Sequence, residues 1–160
     1  DNLQSGLTIN NPILVDPVVQ NKRVALNVAT TLTAGVHAGA IMRFSTAAGV
    51  TATLPAATGT GAHYRFVVGT TVTSVADIVA VVGDDAFIGT AWVAQDGGNT
   101  ALIFEAAADS DQISLNGTTT GGIAGDFIEV IDIAADRWMA LVHTQATGTE
   151  VTPFLTGQVS

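Results

Sequence analysis

The sequence predicts an all-β protein: an antiparallel β-sandwich or β-barrel-like single domain with an extended N-terminal arm. Three observations lead there. Alanine, threonine and glycine, at 25, 22 and 17 residues of 160, dominate the chain, and Thr and Gly are poor helix interiors. Short β-rich runs recur between Gly, Thr, Asp and Asn at the spacing of a sandwich or barrel. No amphipathic helical stripe interrupts them. A chain of this length favours one domain, and burying roughly 68–70% of its unfolded surface lets it fold without a staple.

The arm is residues 1–23. Asn2, Asn10, Asn11 and Asn21 with Pro12 and Pro17 surround small apolar groups such as Ile13-Leu14-Val15, and each proline pushes its predecessor towards extended backbone. Such a segment becomes ordered when tied down, against a partner or as a first strand on its own subunit. The β-rich domain is 24–160, with strands expected at 24–32, 40–46, 50–54, 63–69, 77–82, 87–94, 100–105, 112–115, 126–133, 137–144 and 150–156. Phe127, Glu129, Ile131 and Ile133 alternate with Ile128, Val130 and Asp132, which marks a central strand apolar on both faces. Asn116-Gly117 predicts a type I′ hairpin. Ala134-Ala135-Asp136 is a link tight enough for Ile131, Ile133, Trp138 and Leu141 to share a core. Pro55 to Gly61, uncharged and with two glycines, reads as a loop. No repeat of constant period is present.

Charge and composition exclude several classes. Fourteen acids against five bases give a net charge of −9, whereas nucleic-acid binding needs clustered Lys and Arg. The acids concentrate after residue 76, and solvation of a highly apolar fold explains them more simply than an acidic docking face does. The uncharged stretch Val24–Met42 has the length of a membrane span, but Asn27, Thr30, Thr31, Thr33, Gly35 and His37 break it. No membrane partner is expected. Nothing resembles a signal peptide, and with no cysteine, disulfides and thiol chemistry are excluded.

No catalytic constellation emerges. His37, His63 and His143 show no ligand spacing, and no serine lies in a Gly-x-Ser-x-Gly elbow. A triad assembled only in space leaves no spacing signature. Gly83-Asp84-Asp85, Asp96-Gly97-Gly98-Asn99 and Asp109-Ser110-Asp111 offer oxygen ligands for a hard cation, but the same residues serve strand-connecting turns. The expectation is a protein that is not an enzyme and holds no cofactor.

Two stretches are more specific. Thr51-Ala-Thr-Leu-Pro-Ala-Ala-Thr-Gly-Thr-Gly-Ala-His-Tyr-Arg-Phe-Val-Val-Gly69 continues through Thr73-Ser74 towards Ile78. Asp111-Gln-Ile-Ser-Leu-Asn-Gly-Thr-Thr-Thr-Gly-Gly122 leads through Gly125-Asp126 and Glu129 to Trp138, with Thr152-Pro153-Phe154 later. This layout, over about residues 50–156, resembles the head decoration (cement) proteins of tailed bacteriophages. The resemblance implies a non-enzymatic protein on the exterior of the virion, a homotrimer whose partner is the major capsid protein and which bridges capsid subunits. An apolar extended arm can add strands to an exposed sheet edge, so Leu7, Ile9, Ile13, Leu14 and Val15 are the candidate capsid or subunit contacts. The alternative is a receptor- or glycan-binding module of a phage fibre or spike, with Tyr64, Trp92 and Trp138 as aromatic platforms beside the Asp/Asn/Gly loops.

Overall fold

The computed structural model describes residues 22–80 and 82–157. Among these residues twelve strands form two packed sheets: β1 (Arg23–Leu26), β2 (Thr30–Thr31), β3 (Ile41–Phe44), β4 (Thr51–Thr53), β5 (His63–Val68), β6 (Ala76–Val79), β7 (Ala86–Ala94), β8 (Ala101–Glu105), β9 (Gln112–Leu115), β10 (Phe127–Ala134), β11 (Arg137–Gln145) and β12 (Phe154–Leu155). A single helical turn, α1 (Ala34–His37), lies between β2 and β3. Seven strands make the large sheet in the order β1-β3-β5-β10-β11-β7-β8, and five make the small one, β12-β9-β6-β4-β2. The all-β sandwich expected from the sequence is thus the fold. The expected arm, with Leu7, Ile9, Ile13, Leu14 and Val15, lies outside the described residues up to position 21, and Arg23 already opens β1.

Pairing is mixed, which corrects the antiparallel expectation. From β1 to β6 the chain alternates between the sheets, so successive strands of one sheet run the same way: β1, β3 and β5 pair parallel, as do β2, β4 and β6. A parallel neighbour needs a crossover, and here the other sheet supplies it. Register offsets are 18 and 24 residues in the large sheet and 22 and 26 in the small one. Coils this unequal leave no constant period. The run 24–32 therefore splits into β1 and β2, one strand for each sheet.

Alternation then fills the space between the sheets. Met42, Phe44, Tyr64, Phe66, Ile128, Val130, Trp138 and Val142 from the large sheet meet Ala52, Ile78, Ile113, Leu115 and Phe154 from the small one. Phe44 stacks on Phe66 at 5.9 Å between ring centroids, and Tyr64 meets Trp138 edge-on at 5.7 Å. As expected, β10 is central, between β5 and β11. Its inward residues, however, are Ile128, Val130 and Asp132. Trp138 faces the core, but Ile131 is half-buried and Ile133 and Leu141 are exposed on the far side.

Asn116-Gly117 forms no hairpin, because β9 and β10 belong to different sheets. A type I′ turn needs positive φ at both central residues, and only Gly117 has it, at +77°. Instead the Asn116 side-chain oxygen accepts hydrogen bonds from the N–H groups of Thr118 (2.9 Å), Thr119 (2.9 Å) and Thr120 (3.2 Å). Its side chain folds the loop locally.

Candidate interaction surface

Four buried aspartates hold loops to the ends of strands. At the end of β10, Asp132 accepts hydrogen bonds from the backbone N–H groups of Thr58 (2.9 Å), Gly59 (2.6 Å) and Thr60 (3.0 Å) and from the Thr60 hydroxyl (2.7 Å). Burial opposes its charge, but these bonds outweigh it, the Thr60 hydroxyl foremost, and hold the carboxyl below its ordinary pKa. The same loop is tied again where Asp85 accepts from Ala57 N–H at 2.9 Å. Asp126 accepts from Gly122 N–H (2.8 Å), Ile123 N–H (3.0 Å) and Gln145 N–H (3.1 Å). For both Asp85 and Asp126, burial is the leading effect and pushes the pKa up. With Asp111 also buried, four acids of the acidic half serve the interior rather than its solvation.

The histidines, serines and acidic clusters weighed as candidates for chemistry are used structurally or stand apart. His37 accepts the Thr33 N–H on Nδ1 at 3.0 Å, closing α1. Ser45 bonds Arg43, and Ser110 accepts the Ala107 N–H. Asp84, Asp85, Asp109 and Asp111 come together in one shallow cleft, which Arg137 lines too, its guanidinium bonded to the Asp84 and Asp136 backbone carbonyls. Among the described residues no group of three or more His, Asp or Glu is arranged to hold a metal ion. Tyr64 and Trp138 are core residues, leaving Trp92, 50% exposed, as the accessible platform of the three.

The two outward faces of the sandwich differ. The outward positions of the small sheet hold Thr31, Thr51, Thr53, Asp77, Gln112 and Ser114, with Val79 and Leu155 as the apolar ones, and of these Gln112, Ser114 and Val79 are buried. Across the large sheet, register aligns Ala25, Arg43, Val67, Phe127, His143, Trp92 and Ile103 in one row. Beside it run Arg23, Ile41, Arg65, Glu129, Leu141, Thr90 and Glu105, and a third row holds His63, Ile131, Met139 and Ile88. Ile41, Ile88, Trp92, Ile103, Ile133 and Leu141 are all exposed. In the middle of this face, Arg65 Nε and Glu129 Oε1 form an ion pair at 2.8 Å. Trp92 tilts against His143 at 6.2 Å, above a shallow depression that also includes Asp126 and Gln145.

The sequence reveals the residue types of this face but not its exposure, because a strand with apolar residues on both sides looks the same whether one or both are covered. Comparison with protein-family models, curated proteins and solved structures returned no match.

Proposed function

We propose that this protein is a structural component of a bacteriophage particle, bound to the outside of the capsid as a homotrimer that bridges major capsid subunits. The observation that carries this reading is the set of exposed apolar side chains on the outward face of the seven-stranded sheet, Ile41, Ile88, Trp92, Ile103 and Leu141, around the Arg65–Glu129 pair. Extended apolar surface on a folded domain marks an interface, and a lattice of folded subunits is a partner such a face suits. Loops fastened by buried carboxylates keep the surface preorganised, so little ordering entropy opposes binding. Several copies on one trimer then act at high effective concentration. The arm, with Leu7, Ile9, Ile13, Leu14 and Val15, is the proposed clamp, adding backbone hydrogen bonds to a neighbour's edge.

Undecorated heads mixed with the protein provide the test. Saturable binding in a fixed copy number is expected, and Ile88→Glu or Leu141→Glu, both in the middle of the apolar face, should weaken it by at least about tenfold. Absence of binding, or full retention of both variants, refutes the reading. The half-exposed Trp92 beside His143, Gln145 and Asp126 favours the glycan-binding alternative. A glycan-array signal lost in Trp92→Ala would support it.

A further inference from the structure

Exposed sheet edges invite pairing, and proteins normally blunt them with charge, proline, bulges or brevity. Among the described residues the two sheets have four edge strands: β1, β8, β2 and β12. β2 and β12 are two residues long, and β1 opens with Arg23 directly after Lys22. β8, Ala101-Leu-Ile-Phe-Glu105, is longer and has a single charge, Glu105 at its end. It contains neither lysine nor proline, pairs with β7 in unbroken register, and exposes Leu102 on one face and Ile103 on the other at 49% and 56%.

The backbone directions of β8 follow from two hydrogen bonds. Gln95 N–H donates to Thr100 O, and Ala106 N–H donates to Gly89 O. In an antiparallel ladder, residues facing the partner strand alternate with residues facing away. So Thr100, Leu102, Phe104 and Ala106 bond β7, while Ala101, Ile103 and Glu105 aim their N–H and C=O groups outward. These three residues are symmetric about Ile103.

We infer that β8 pairs with β8 of a second copy of this chain, antiparallel about a two-fold axis at Ile103. In that register Ile103 faces Ile103 and Ala101 faces Glu105, so all three outward residues of each strand exchange both their bonds, six in all. The sole charge of β8 stands opposite alanine, not opposite itself. Leu102 lies against Phe104 of the second copy on one face. On the other, the row through Trp92 and Ile103 runs on across the junction. An isologous contact needs this self-complementarity, and the strand has it in sequence, backbone direction and charge. The pairing concerns the isolated protein and does not rest on capsid attachment.

Sedimentation of the full chain over a dilution series tests it, with hydrogen exchange on the same samples. The mass should rise with concentration, and Ile103→Lys should stay at the smaller unit with an unchanged circular dichroism spectrum. Amides of Ala101, Ile103 and Glu105 should lose protection on dilution, while Leu102 and Phe104, bonded to β7, keep theirs. The register is read by exposed Ala101: Ala101→Glu faces Glu105 of the other copy twice per dimer and should weaken pairing roughly two- to thirtyfold, whereas Ala101→Lys should strengthen it at low salt. A mass independent of concentration, an Ile103→Lys variant that associates like wild type, or both Ala101 variants shifting pairing the same way overturns the inference. Constant protection of all three amides at constant mass would place another segment on the edge, and overturns it too.

Discussion

Replacing Asp132 with alanine removes one acceptor group from four close donors at once, three backbone N–H groups and the Thr60 hydroxyl, and from the Thr58 hydroxyl at 3.5 Å. Hydrogen bonds to a charged group contribute about 1.5–3 kcal/mol each when the donors are left dry. Thr58, Gly59 and Thr60 are exposed, so water replaces part of the loss and about 1 kcal/mol per bond is the fitting figure. The expected cost is then about 3–4 kcal/mol, or roughly 6–16 °C in Tm for a domain of this size. Asp132→Asn keeps the shape, loses the charge and supplies the discriminating measurement. The native carboxyl binds its proton less readily than the unfolded chain's, so its stabilisation is complete above the ordinary value of about 3.9 and is lost as pH falls through the lower native value. Thermal melts of wild type and Asp132→Asn should therefore converge on acidification. An alanine variant within about 1 kcal/mol of wild type, or a gap that widens in acid, refutes the reasoning.

Asp126 gives the opposite sign. Its pKa is raised, so its contribution is present below the ordinary carboxyl value and lost as pH rises through the native one; melts should show Asp126→Asn gaining on wild type between acid and neutral pH. At Gly117, φ is +77° and an added Cβ would come within 1.9 Å of the Val72 carbonyl oxygen. Gly117→Ala should thus cost at least about 2 kcal/mol, read as a fall in the urea midpoint with unchanged slope.

Most strands are legible because period-two alternation is local: β5, β7, β9, β10 and β11 lie within a residue of their expected bounds. What alternation cannot supply is sidedness. Ile128 and Val130 are as apolar as Ile131 and Ile133, and the choice between them falls to Asp132, whose partners in the Thr58–Thr60 loop lie 72 to 74 residues away in sequence. Parallel pairing is hidden for a related reason, since each crossover passes through the opposite sheet and the coils differ in length. The candidate surface was concealed by its own composition. Ala101 to Phe104 reads like any core strand, and only its place at the end of the strand order leaves it uncovered.

The position of β10 and β11 in the large sheet also governs how the chain is made. Before residues 127–145 leave the ribosome, β1-β3-β5 and β7-β8 are two separate wings, each ending in an open strand where the β10–β11 hairpin will dock. The hairpin is a keystone inserted late, so productive folding waits until Gln145 has been made and runs at the slow pace of long-range β topologies. Nascent or prematurely terminated chains lacking it expose β5 and β7 as sticky templates, and these intermediates are the ones a chaperone would hold.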